Sequence, residues 1–133
     1  MELRDLYDAN GKLTNLTYKK GDKIPEGYYP MVVMIAIENN NNEFLMQKRV
    51  KEKGGDWGVT GGHPKSGETP YEGIITEVKE ELGIDISGEK IIEFNKNNKT
   101  KIQAQKKESK YQTILYSKST LLLKAKVYHA PSI

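Results

Sequence analysis

Two short segments carrying apolar residues, 2–7 and 13–19, are separated by the polar stretch Asp8-Ala9-Asn10-Gly11. Short segments on either side of a strong Asn-Gly turn signal predict a β-hairpin. Pro25, Gly27 and Pro30 punctuate the following stretch as loop. Residues 31–37, MVVMIAI, form a continuous apolar run of strand length, suited to a strand covered on both faces. A turn at 39–42 leads to a returning strand over 43–49, EFLMQKR, and a charged loop at 51–56 precedes a short strand at 57–60 that enters a glycine loop at Gly61-Gly62.

The period then changes. Ile74, Ile75, Val78 and Leu82 recur at helical spacing. Thr69 suits the N-cap, Pro70 the first helical position, Glu72 the reciprocal capping-box position, and Gly83 the stop. Gly73, one turn before Glu77, leaves room for the preceding loop to pack on the helix. Beyond the helix, residues 90–94 predict a strand. Residues 95–110 are polar and lysine-rich without a clean period, and 114–116 and 120–127 predict two further strands. No amphipathic pattern for a closing helix follows.

Glu77, Glu80 and Glu81 share one helix face at i, i+3 and i+4, and Glu68 lies just ahead of the helix. Like charges at these spacings weaken a helix by about 0.2–0.5 kcal/mol per pair. Two readings account for the face: a solvated acidic surface, or a site where a hard divalent cation removes the repulsion by taking carboxylate oxygens. The adjoining glycine loop and fourth carboxylate favour the cation.

Gly62, five residues, Glu68, seven residues and then TEVKEELGI resembles the signature of the Nudix hydrolases: G, five residues, E, seven residues, R-E-U-x-E-E-x-G-U, where U is aliphatic. Gly62, Glu68, Glu77, Val78, Glu80, Glu81, Gly83 and Ile84 match, and Thr76 stands in the arginine position. The resemblance, carried by residues 1–95, implies an α/β sandwich of helices about a mixed β-sheet, with the N-terminal hairpin leading it and an atypical or truncated C-terminal part. It also implies hydrolysis of a diphosphate linkage in a nucleoside diphosphate joined to a moiety X, with Mg²⁺ or Mn²⁺ as cofactor. Glu80 and Glu81 would be the principal metal ligands, with the Gly61 carbonyl. Glu77 would be a further ligand or the general base, and Glu68 would support the metal or its water shell. Threonine at 76 lacks the charge and reach of an arginine fork, so slower turnover is expected and Thr76→Arg should raise it.

At 133 residues the chain is long enough for one domain, comprising a hairpin and loop (1–30), a core (31–95, with the signature at 62–84) and a basic remainder (96–133). It has no cysteine, which excludes disulfides, thiolate metal sites and a cysteine nucleophile. Neither a membrane-length apolar run nor the apolar middle of a signal peptide is present, so a cytoplasmic protein is the expectation. The net charge of +3 conceals an asymmetry: residues 1–89 hold 11 Lys/Arg against 16 Asp/Glu, and residues 90–133 hold 10 against 2. The basic remainder reads either as a divergent ending with basic loops or as a tail altered by truncation or a shifted frame. The second would leave apolar sheet exposed and favour a homodimer. Its lysines are not interleaved with arginine and aromatic residues as in a nucleic-acid module, so the expected partner is a small diphosphate substrate.

Lys48 and Arg49 either face substrate phosphates or form an exposed strand end, and Trp57 either stacks on a base or packs in the core. His63 reads as a loop histidine as readily as a ligand. Gly62-His63-Pro64 with Gly67-Glu68, and the leading hairpin, also resemble isopentenyl-diphosphate isomerase within the same fold. That enzyme has a catalytic cysteine where this chain has Gly61, which counts against isomerase chemistry. The other alternative is a binding or regulatory module of the same fold without turnover.

Overall fold

A computed structural model of the chain describes residues 2–40, 42–48, 57–93, 105–107, 110–118 and 128–129. The hairpin consists of antiparallel strands β1 (Arg4–Tyr7) and β2 (Leu13–Tyr18), with a register shift between Asp5 and Tyr7. Its connection is wider than a two-residue turn: the Asp8 carboxylate accepts from the Asn10 and Lys12 amides, and Gly11 supplies a positive φ of 79°. Tyr7 and Tyr29 exchange backbone hydrogen bonds of 2.8 Å, which ties the hairpin to the segment entering the sheet.

The apolar run forms β3 (Met31–Glu38), and its two faces are not equally covered. Met31, Val33, Ile35 and Ile37 are buried, while the intervening residues are only partly so. The return strand is shorter than its pattern predicts. Phe44 makes a single bridge to Glu38, and the chain then departs as β4 (Gln47–Lys48) into a second sheet. There it pairs with β5 (Trp57–Gly58) and β10 (Tyr128–His129). The Asn39 side chain bonds both the amide and the carboxylate of Glu43, and Asn42 adopts φ 61°, so this turn is built by asparagines.

The main sheet runs β6 (Thr60–Gly62), β3, β9 (Lys110–Lys118), β7 (Ile91–Glu93), with β8 (Gln105–Lys107) also pairing β9. β9 lies parallel to β3 from Met31↔Tyr111 to Glu38↔Lys118, whereas the other pairings in this sheet are antiparallel, so the sheet is mixed. Gly61 and Gly62 are therefore strand residues, not loop. The strand expected at 114–116 is the centre of a nine-residue strand, whose full extent is hidden from a hydropathy reading by the buried polar residues Thr113 and Ser117 on either side. The strand expected at 120–127 lies outside the described residues.

Helix α1 (Pro70–Leu82) begins and ends where its capping signals predict. Thr69 accepts from the Glu72 amide, Glu72 returns the bond, and Gly83 closes the helix at φ 70°. Its apolar side, Ile74, Val78 and Leu82, packs with Val33, Ile35, Ile37, Leu45, Ile86, Ile91 and Leu115. Each such side chain contributes about 1.5–3 kcal/mol when fully buried, enough to offset the repulsion along the neighbouring acidic face. No helix among the described residues is long and apolar enough to cross a membrane.

Candidate active site

The core-facing side of α1 fixes where its glutamates emerge, and β6 runs directly beside them. A Cβ on Gly61 would lie 2.7 Å from the Val33 carbonyl oxygen, and one on Gly62 would lie 2.7 Å from both carboxylate oxygens of Glu77. Gly61 thus requires glycine for close approach to the β3 backbone, whereas a side chain at Gly62 would displace the Glu77 carboxyl; neither serves a sharp turn. The space without a Cβ at Gly62 is filled by the Glu77 carboxyl.

Glu77 is half-buried, and its pKa is pushed up to about 8 from 4.5, first by burial, then by the hydrogen bond and charge of Glu81, then by the charge of Glu80. A proton therefore holds the Glu77–Glu81 pair together near neutrality. On its other side, Glu81 Oε2 accepts from Gln47 Nε2 at 2.6 Å, while Gln47 Oε1 accepts from Thr60 Oγ1 at 3.0 Å. The Glu81 oxygen acts as acceptor and so turns the NH₂ end of the amide toward itself, which leaves the Gln47 oxygen for the Thr60 hydroxyl. Gln47 and Thr60 are both buried. The sequence reading passed over Gln47. The available signal was an amide at an inward position of a strand, two residues after buried Leu45, where an unpaired polar group would be costly.

The other carboxylates are arranged differently. Glu80 is outward and pairs with Lys65 at 2.8 Å, an exposed contact that raises the lysine's pKa. Glu68 Oε1 accepts from the Lys65 amide at 2.7 Å, and its Oε2 accepts from Thr76 Oγ1 at 2.8 Å. Thr76 therefore does reach a signature glutamate, contrary to the expectation from its length. The preceding loop comes close enough for this because Pro64 packs on Gly73, where a Cβ would meet the proline ring at 2.9–3.0 Å. Trp57 is 48 % exposed on β5, which rules out the core reading. Lys48 pairs with Trp57 through the backbone of β4, and Arg49 lies outside the described residues. His63 follows β6 and is partly buried.

Among the described residues, no three His, Asp or Glu side chains converge on a single metal-sized point. The donor chemistry nonetheless fits a hard divalent cation. Glu77 and Glu81 are interacting carboxyl groups, and Gly62 leaves the space that the Glu77 carboxyl occupies. Glu80 would join them by leaving Lys65, and a surface pair of that kind holds by at most about 1 kcal/mol.

The chain is similar to known proteins in sequence and in fold. The model of the Nudix domain matches residues 28–122, extending through β9 and leaving the hairpin outside. The resemblance legible in the sequence covers residues 1–95. The chain is 38 % identical over 94 residues to an uncharacterized Nudix hydrolase of Listeria monocytogenes, covering 66 % of this chain and 56 % of that protein. A Listeria innocua counterpart is 39 % identical over 90 residues, covering 65 % and 53 %. The chain thus spans about half the length of these relatives. An 8-oxo-dGTP diphosphatase of Proteus vulgaris is 35 % identical over 54 residues, covering 40 % of this chain and 48 % of that one. In fold, the chain is similar to DR0079 from Deinococcus radiodurans, with a TM-score of 0.64 at 20 % identity, covering 89 % and 72 % of the two chains. The family model takes in the sheet, the glycine strand and the carboxylate helix together, and this chain belongs to the Nudix family.

Proposed function

We propose that this chain is a divalent-metal-dependent hydrolase that cleaves a diphosphate linkage in a nucleoside diphosphate joined to a moiety X, or in a related compound. The observation that carries the reading is the Glu77–Glu81 pair, seated against Gly62 and anchored by buried Gln47. Membership of a family that includes Nudix hydrolases supports it.

Glu77, Glu80 and Glu81 would hold Mg²⁺ or Mn²⁺ with the Gly61 carbonyl, and Glu68 would support the site from the loop. When bound, the cation neutralises phosphate charge and lowers the pKa of water. Once its carboxyl is ionised, Glu77 would be a further ligand or the group that accepts a proton from the attacking water. Gln47 keeps Glu81 in one orientation, and such outer contacts set ligand geometry. Trp57, about half exposed on β5, would stack on a base, and Lys48 and Arg49 would meet phosphate charge.

The test is metal-dependent release of phosphate or nucleotide from a panel of diphosphate compounds. It includes 8-oxo-dGTP because of the similarity to the Proteus protein. Turnover that needs both metal and Glu81, lost on chelation and reduced at least a hundredfold in Glu81→Gln, is expected, given the cost typical of losing one stabilising group at a reacting centre (on the order of 10²–10³). Silence of the folded protein across the panel would favour the second reading, a binding module. That reading draws on the internal partners that already engage Glu68, Glu80 and Glu81.

A further inference from the structure

The loop that leads into α1 is gripped from outside the Nudix match. The Asp5 carboxylate accepts from Ser66 Oγ at 2.6 Å through Oδ1 and from the Gly67 amide at 3.0 Å through Oδ2. One residue pair away, the Leu3 carbonyl accepts from the Ser66 amide at 2.7 Å. These bonds join residues about sixty positions apart, and Asp5 lies on β1, ahead of the family match that begins at residue 28.

Both sides of the contact are independently fixed. Fully buried Leu6 anchors β1, and Thr14 Oγ1 bonds the Leu6 carbonyl. The register shift after Asp5 is of the kind that re-aims a strand side chain. On the loop side, Gly67 adopts φ 90°, a conformation that presents its amide to Asp5 and that other residues rarely take. The next residue is Glu68, held by the Lys65 amide and Thr76, and Lys65 in turn pairs with Glu80.

We infer that Asp5 is a positioning residue, and that the N-terminal hairpin clasps the loop between β6 and α1 to hold Glu68 against the carboxylate helix. A bidentate carboxylate on one hydroxyl and one amide fixes both the position and the orientation of the loop. The consequence for turnover rests on the proposed hydrolase reading; the clasp does not.

Amide hydrogen exchange of the full chain, compared among wild type, Asp5→Ala, Asp5→Asn and Ser66→Ala, reads the clasp directly. Asp5→Ala should speed exchange at Ser66, Gly67 and Glu68 about tenfold, a local opening that leaves Val78 and Leu82 in α1 unchanged. Asparagine can accept from Gly67 and donate to Ser66 Oγ, so Asp5→Asn should restore most of the protection. Ser66→Ala should lose part of it, with no further loss when combined with Asp5→Ala beyond the shared contact. With a hydrolysed substrate in hand, Asp5→Ala should lower kcat about tenfold with KM within about twofold, as expected when a group is displaced rather than a binding contact removed.

Unchanged loop exchange in Asp5→Ala, equal loosening of the whole helix, or a loosened loop with unchanged kcat would each overturn the inference. A wild-type chain that hydrolyses nothing overturns the hydrolase reading instead, and the exchange comparison still decides whether the hairpin holds the loop.

Discussion

Thr76 is the position at which this chain departs from the family signature, and its hydroxyl makes the contact that positions Glu68. It donates to Glu68 at 2.8 Å and lies 3.2 Å from the Glu72 carbonyl of its own helix. A hydroxyl on a carboxylate in a partly buried setting is worth more than an ordinary neutral bond, roughly 1.5–3 kcal/mol before exposure reduces it. Thr76→Val keeps the shape and removes the donor, so it should cost about 1 kcal/mol of stability in urea melts and slow turnover, while Thr76→Ser should retain both. Equal behaviour of the two variants would remove Thr76 from the site. The matching residues of the signature were legible at this scale because chemistry needs their types at fixed spacing. Gln47 was less so: strand alternation puts its amide on the same side as Leu45, but nothing in EFLMQKR says that it meets a helix residue 34 positions away.

Local patterns identified α1 almost to the residue, since capping and an apolar stripe are both written in adjacent positions. Strands fared worse where pairing is distant. β3 and β9 join segments about eighty residues apart, and no local signal in KYQTILYSK states that it will be the sheet's central partner. The glycines of β6 suggest a loop because glycine ordinarily breaks strands, whereas here Gly61 lets β3 approach and Gly62 admits the Glu77 carboxyl. Gly73 gives an element-scale test in which two effects oppose. Glycine to alanine in a helix interior ordinarily gains up to about 1 kcal/mol. At Gly73 the added methyl meets Pro64 at 2.9–3.0 Å, and overpacking of this kind costs about 1–3 kcal/mol. Gly73→Ala should therefore lower the melting temperature, and a rise would show that the loop does not pack on α1 as described.

For the whole molecule, the arrangement places an acidic pair between a glycine strand and a hydrogen-bonded glutamine, and its cost should be felt in global stability. The Glu77 carboxyl has a folded pKa of about 8 against 4.5 as its ordinary value. A carboxyl raised in this way gives its full contribution below pH 4.5, and that contribution is lost as pH rises through 8. The metal-free protein should accordingly lose stability across that window, and Glu77→Gln should flatten the loss. A divalent cation supplies the missing counter-charge and stabilises the folded state in proportion to its occupancy. The most direct measurement of the central claim is the melting temperature against pH, taken in chelator and in Mn²⁺ for wild type and Glu77→Gln. The account expects a wild-type Tm that falls between about pH 5 and 8.5 in chelator, recovers in Mn²⁺, and does neither in the variant. Superimposable wild-type curves with and without the metal would contradict it.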